Sequence, residues 1–299
     1  MSAAERQSLL AIVAILLVGG GIVWAGSQGG VRVGGLPVFA LCGILAFAVN
    51  WIAFLPAYLS QTERFFDLTG SFTYLSLVLL ALALRDEPDP RSLLLAVLVV
   101  LWAARLGSFL FRRITRDGGD GRFDALKPSL LRFLMTWTLQ GLWVLLTLSC
   151  ALAAMTSAHP KALGGLAALG AALWAIGFVI EVLADRQKSR FRREPANRGR
   201  FIDVGLWAWS RHPNYFGEIT LWSGVALIAL PALADWQYVT LISPVFVYVL
   251  LTRISGIPLL EARAEKKWGG QADYKAYRDR TPVLFLRPPS SLGSRNGSG

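Results

Sequence analysis

Eight stretches of this chain are nearly unbroken runs of apolar residues, and polar residues collect between them. The runs cover residues 8–24, 36–59, 66–84, 92–111, 130–155, 162–184, 215–232 and 238–255. A helical apolar stretch of roughly 18 to 25 residues crosses a hydrocarbon core about 30 Å thick. The pattern therefore predicts an all-α fold, a polytopic membrane helix bundle of about eight transmembrane helices. Arg253 falls inside the last run, which allows an earlier end for that span.

The loops give the orientation. One alternating set carries Arg6, then Arg64, then Arg112, Arg113, Arg116, Arg122 and Lys127, then the basic run from Arg186 to Arg211, and finally the segment from Arg263 to Arg287. The opposite set holds only Arg32, Arg85, Arg91 and Lys161, with Asp86, Glu87 and Asp89 beside the middle two. Basic loops stay on the cytoplasmic side, so both termini are expected there, in a bacterial inner membrane crossed several times. Residues 1–287 read as a single domain with cytoplasmic loops 112–129 and 185–214 and a C-terminal cap 256–287. The Pro-, Ser- and Gly-rich end, 288–299, reads as a flexible tail.

Composition agrees with this. Only 16% of residues are charged, against roughly 25% in soluble domains, and the mean hydropathy is +0.49. A net charge of +11 would suggest nucleic acid in a soluble protein. Here the charge follows topology and an anionic lipid face, so membrane lipids are the expected partner and nucleic acid is not. Cys42 and Cys150 lie in apolar runs and behave as small hydrophobes. With two histidines in all, a zinc or haem site built on histidine pairs is not expected. Neither a Gly-x-Gly-x-x-Gly turn nor a Gly-Lys-Ser/Thr phosphate loop occurs.

The ionisable residues at the ends of the spans carry the functional signal, because such groups are costly in a membrane. Asp67, Arg105, Glu181, Asp185, Asn214 and Glu218 all fall at similar depth on the cytoplasmic side, which is economical for a water-filled cavity open to the cytosol. Glu181, Asp185, Lys188 and Arg192 follow i, i+4, i+7 and i+11, which is one helical face if the sixth helix continues past the membrane. Pro213 suits the first turn of the seventh helix, whose free N–H groups would favour an anion. Taken singly, these residues also suit caps, snorkelling side chains or lipid contacts, and Trp207 and Trp209 suit an interfacial aromatic belt. A phosphorylated dinucleotide such as NADPH would use Arg192, Arg200 and Arg211 as planar phosphate partners. S-adenosylmethionine, which has no phosphate, would call for carboxylates more than arginines. Lipid headgroups also account for a basic row.

The run Glu181-Val-Leu-Ala-Asp185-Arg-Gln-Lys-Ser-Arg-Phe191, followed by Gly205-Leu-Trp-Ala-Trp-Ser-Arg-His-Pro-Asn-Tyr-Phe-Gly-Glu218, resembles the DUF1295 bacterial branch of the steroid 5α-reductase family. That superfamily also contains sterol Δ14- and Δ7-reductases and isoprenylcysteine carboxyl methyltransferases. The resemblance is strong over about residues 175–225 and weaker over 67–122 and 261–286. It implies an NADPH-dependent reductase of a carbon–carbon double bond conjugated to a carbonyl in a lipid-like substrate. It also implies cofactor contacts from Asp185, Arg192, Arg200, Asn214 and Glu218, with Glu181, Lys188, Arg211, His212 and Tyr215 in the same binding segment. Asp67 resembles the acid that holds the substrate carbonyl, and Arg105 would orient cofactor or substrate. Trp102 stands where those reductases carry a tyrosine, and it has no phenolic proton. The methyltransferase branch has paired glutamates where this chain has Leu260-Glu261 ahead of Trp268-Gly269. An S-adenosylmethionine-dependent methyltransferase and a non-enzymatic lipid-binding protein are the alternatives.

Overall fold

The structure, a computed structural model, describes residues 2–289; most of the expected tail, from 290 onward, lies outside them. Among the described residues, eight helices are long and apolar enough to cross a membrane, in agreement with the apolar runs. Contacts divide the chain into two compact units, Met1–Ala171 with Val225–Phe246 and Ala172–Gly224 with Val247–Gly299.

The first unit is built on α5 (Leu130–Met155). In its apolar window 89% of residues are buried, against 28–44% for α1 (Ala3–Gly26), α2 (Val38–Leu59), α3 (Phe66–Ala83) and α4 (Pro90–Asp117). Helix α5 is thus the post around which the others pack, and its sequence explains why. Thr147, Ser149, Cys150, Ala151, Ala153 and Ala154 are all buried, and small side chains let backbones approach where lipid supplies no hydrophobic drive. Ser149 Oγ donates to Thr240 O at 2.8 Å, and Ser243 Oγ donates to Thr147 O. A two-stranded hairpin, Arg32–Val33 with Leu36–Pro37, joins α1 to α2.

The arginines of the sparsely basic loops have a structural use. Arg91 is only 2% exposed. Its guanidinium donates to the carbonyls of Lys161, Ala162 and Ile228. Arg85 Nη1 donates to Met155 O at 2.6 Å and Ser157 O at 3.0 Å. Both close helix ends or turns whose carbonyls have no helical partner. Asp89 caps α4, its Oδ1 accepting from Arg91 N and Ser92 N.

On the same side of the unit as the start of α3, loop 60–64 is clamped to the segment after α4. Lys127 Nζ lies 2.8 Å from Glu63 Oε2 and 3.0 Å from Asp124 Oδ1. Asp120 N donates to Glu63 Oε1 at 2.8 Å. A polar cavity of about 610 Å³ opens here, lined among others by Glu63, Arg64, Thr115, Asp120 and Lys127. Burial alone would raise the Glu63 carboxyl. The hydrogen bonds from Lys127 and from backbone N–H groups outweigh it and hold the group below the usual carboxylate range.

In the second unit α6 (Gly165–Arg193) runs past the apolar stretch, so residues 185–193 of the expected loop are helical. Helix α7 (Pro213–Ala229) starts at Pro213 as expected. The last apolar run is not one uniform helix. A 3-10 segment (Asp235–Leu241) leads into α8 (Ile242–Val249), which passes into a π-helical turn (Leu250–Ile254) and breaks at Ser255–Gly256. The cap follows as α9 (Ile257–Trp268) and α10 (Ala272–Arg280). It packs on residues 199–207: Phe201 stacks on Tyr277, Trp268 Nε1 donates to Gly199 O, and Tyr277 Oη donates to Trp207 O. Trp207 is 3% exposed and anchors this core, whereas Trp209 is exposed.

Two outcomes follow for stability in detergent. Arg91→Ala leaves three carbonyls without their donor and is expected to cost on the order of 3 kcal/mol, read as a lowered unfolding temperature. The Glu63 clamp contributes fully above its ordinary value of about 4.3 and is lost as pH falls through its lower folded value. Thermal unfolding followed from about pH 6 to about pH 3 should therefore show a steeper acid loss in the wild type than in Glu63→Gln.

Candidate functional site

The second unit holds most of the candidate residues, and the contact between α6 and α7 determines where they lie. A Cβ at Gly217 would sit 2.6 Å from Gly177 O and 2.7 Å from Glu181 N, and one at Gly177 would sit 2.5 Å from Gly217 O. The two backbones touch, which only paired glycines permit. Glu181, 2% exposed, is thereby set against the first turns of α7, where Asn214, Tyr215 and Glu218 stand half-buried. Asp185, 7% exposed, follows one turn further along α6. Lys188 lies over the Trp207 ring at 4.2 Å, and Trp207 Nε1 donates to Ala184 O at 3.0 Å. The helical face expected from the spacing is therefore real, although Lys188 is spent on an aromatic ring. Arg192 and Arg200 are exposed, one near the end of α6 and the other beyond it.

Arg211 and His212 are held differently from the rest. Arg211 Nη1 lies 2.5 Å from Glu261 Oε2, and His212 Nε2 lies 2.8 Å from Glu261 Oε1. One carboxylate on α9 thus takes both neighbours. The backbone is fixed as well. Arg211 N donates to Pro282 O at 2.9 Å, Arg287 N donates to Trp209 O at 3.0 Å, and Ser210 Oγ donates to Leu284 O at 2.8 Å. The His212 ring stacks on Tyr215, with 5.7 Å between centroids and 10° between planes. Burial pushes the imidazole below its usual value, and the Glu261 hydrogen bond does not cancel that effect. His212 is accordingly neutral near pH 7. Its Nδ1 and the Nε of Arg211 are buried without hydrogen-bond partners.

Asp67 and Arg105 belong to the first unit. Asp67 opens α3 and pairs with Arg113 at 3.7 Å. Arg105 lies over the Phe109 ring at 5.3 Å. Trp102, 3% exposed, packs edge-on against Tyr74 with 5.1 Å between centroids. Tyr74 is a phenol that the sequence reading passed over. It lies seven residues beyond Asp67 on the same face of α3, and that spacing was the signal available. Glu261 and the Glu63 clamp were likewise missing from the expected site. No group of three or more His, Cys, Asp or Glu residues able to hold a metal occurs among the described residues.

Comparison with known proteins places this arrangement. Residues 53–281 match the family described as "Protein of unknown function (DUF1295)". The chain belongs to the DUF1295 family. The DUF1295 match encloses every candidate residue from Asp67 to Glu218, and Glu261 too. An uncharacterised protein of Schizosaccharomyces pombe is 26% identical over 227 residues, covering 66% of this chain and 64% of that one. A probable O-methyltransferase of Ustilaginoidea virens is 36% identical over 83 residues, covering 25% of this chain and 29% of that one. This DUF1295 chain therefore spans less than two-thirds of the length of either relative. No solved structure matches it.

The glycine contact can be tested directly. Gly217→Leu drives a side chain into the α6 backbone and is expected to lower the unfolding temperature sharply, by an amount typical of severe overpacking, about 3 kcal/mol. Leucine at Gly20, where an added Cβ meets nothing within 4 Å, is the control and should be close to neutral.

Proposed function

We propose that this DUF1295 protein is an NADPH-dependent membrane reductase of a carbon–carbon double bond conjugated to a carbonyl in a lipophilic substrate. The observation that carries the reading is the second unit's α6–α7 pair. It sets buried Glu181 and Asp185 beside the polar start of α7, with the exposed guanidinium groups of Arg192 and Arg200 in the flanking segment. Such a set fits a ligand with a polyanionic end and a hydrogen-bonding head. Bound NADPH would supply the hydride for the β-carbon of the substrate. Arg192 and Arg200 would hold phosphate oxygens, while Asn214 and Glu218 would engage the nicotinamide carboxamide. Asp67 is the candidate for the substrate carbonyl by its resemblance to the reductases' acid. Tyr74 is the candidate source of the proton that Trp102 lacks. The site would face the cytoplasm of a bacterial inner membrane, where the basic loops belong.

A second reading has its own support. The similarity to a probable O-methyltransferase and the neutralisation of Arg211 by Glu261 both suit S-adenosylmethionine, which needs fewer cations.

Thermal unfolding in detergent with NADPH, NADH or S-adenosylmethionine separates these readings. NADPH at 100 times its dissociation constant is expected to stabilise the protein by about 2.7 kcal/mol, and Arg200→Ala should abolish most of that gain. Stabilisation by S-adenosylmethionine alone would establish the methyltransferase reading in its place. If none of the three stabilises the protein, lipid binding becomes the better account.

A further inference from the structure

We infer that Glu261 is a positioning residue of the α7 entrance: it fixes His212 as the neutral tautomer protonated on Nε2 and leaves Nδ1 as an acceptor for a ligand amino or carboxamide N–H. For a neutral imidazole the geometry decides which nitrogen carries the proton. Arg211 lies against one oxygen of the Glu261 carboxylate, so that group is ionised and can only accept. His212 Nε2, 2.8 Å from the other oxygen, must then donate. A neutral imidazole carries one proton, so Nδ1 is a bare lone pair. That atom is buried with no partner of its own. An acceptor kept out of water is retained where something else satisfies it.

The same contact changes the part played by Arg211. Its charge is offset by Glu261, so it is a counter-ion that holds α9 to the start of α7. Anion binding falls to Arg192 and Arg200. Glu261 reaches this place because the chain breaks at Gly256. A Cβ there would come within 2.2 Å of Leu251 O, so only glycine lets α9 turn off directly after the π-helical turn. The tautomer needs no ligand; the N–H donor rests on the cofactor reading above, and both NADPH and S-adenosylmethionine carry such a group on adenine.

Nitrogen-15 NMR of the full chain with labelled histidine tests both parts. The chain has two histidines, and His159→Gln leaves His212 alone in the spectrum. At neutral pH the unliganded protein should show a pyrrole-like Nε2 and a pyridine-like Nδ1. Glu261→Gln keeps an acceptor and should keep that pattern, whereas Glu261→Ala should give mixed tautomers. An imidazolium, a proton on Nδ1, or an unchanged tautomer in Glu261→Ala overturns the assignment. If Glu261→Ala does not fold, the wild-type and Glu261→Gln spectra still decide it.

In the second arm NADPH and S-adenosylmethionine are titrated separately into the labelled protein. The ligand that binds should move the Nδ1 resonance upfield, and Glu261→Ala should weaken it about tenfold, with Glu261→Gln closer to wild type. Binding that leaves Nδ1 unmoved overturns the acceptor role. Binding by neither ligand sinks the cofactor reading and the acceptor role that rests on it, while the unliganded spectrum still decides the tautomer.

Discussion

Contact between two glycines, Gly177 on α6 and Gly217 on α7, is the constraint on which the second unit depends. Apolar side chains cannot drive helices together in lipid as they do in water, so close approach and polar contacts have to serve. Here the approach is close enough for one backbone to touch the other. Its effect is local and chemical as well as mechanical. It brings a buried glutamate against the start of a helix whose first two turns carry an amide, a phenol and a second carboxylate. A side chain at either glycine would separate these groups.

The first unit is held by a different device. Its helix ends are closed by arginines that donate to main-chain carbonyls, with Arg91 buried among three of them. A guanidinium can do this because its donors are spread over a rigid plane and its charge is stable under burial. Arg85 and Arg91, in the sparsely basic loops, are therefore fasteners. That explains how these loops carry arginine at all while remaining poor in net positive charge.

Much of the fold could be read from the sequence because spans are a local property. Eight apolar runs became eight candidate spans, and the spacing of Glu181, Asp185, Lys188 and Arg192 forms one helical face because α6 runs on to Arg193, into the segment expected to be a loop. What escaped the reading was contact at long range. Glu261 lies 49 residues from His212, and nothing local to either residue announces the other. Glu63 and Lys127 are 64 apart and looked like ordinary loop charges. The cation over Trp207 was also invisible, since Lys188 seemed to belong wholly to the polar face. The last span was read as uniform, since apolar periodicity does not distinguish α, 3-10 and π windings within one run.

That mixed winding has a consequence for how the family can vary. A π-helical turn holds one residue more than the α-helical register accommodates. Each residue in an α-helix rotates the following side chains by about 100°. Deleting a single apolar residue between Leu250 and Ile254 would thus restore ordinary winding and leave the helix beyond it close to its present register, because the π-helical turn is what absorbs the extra residue. Only a change of length that the turn does not absorb would swing the following side chains by about 100° per residue, so the π winding lets this span carry an extra residue while Glu261 still reaches His212.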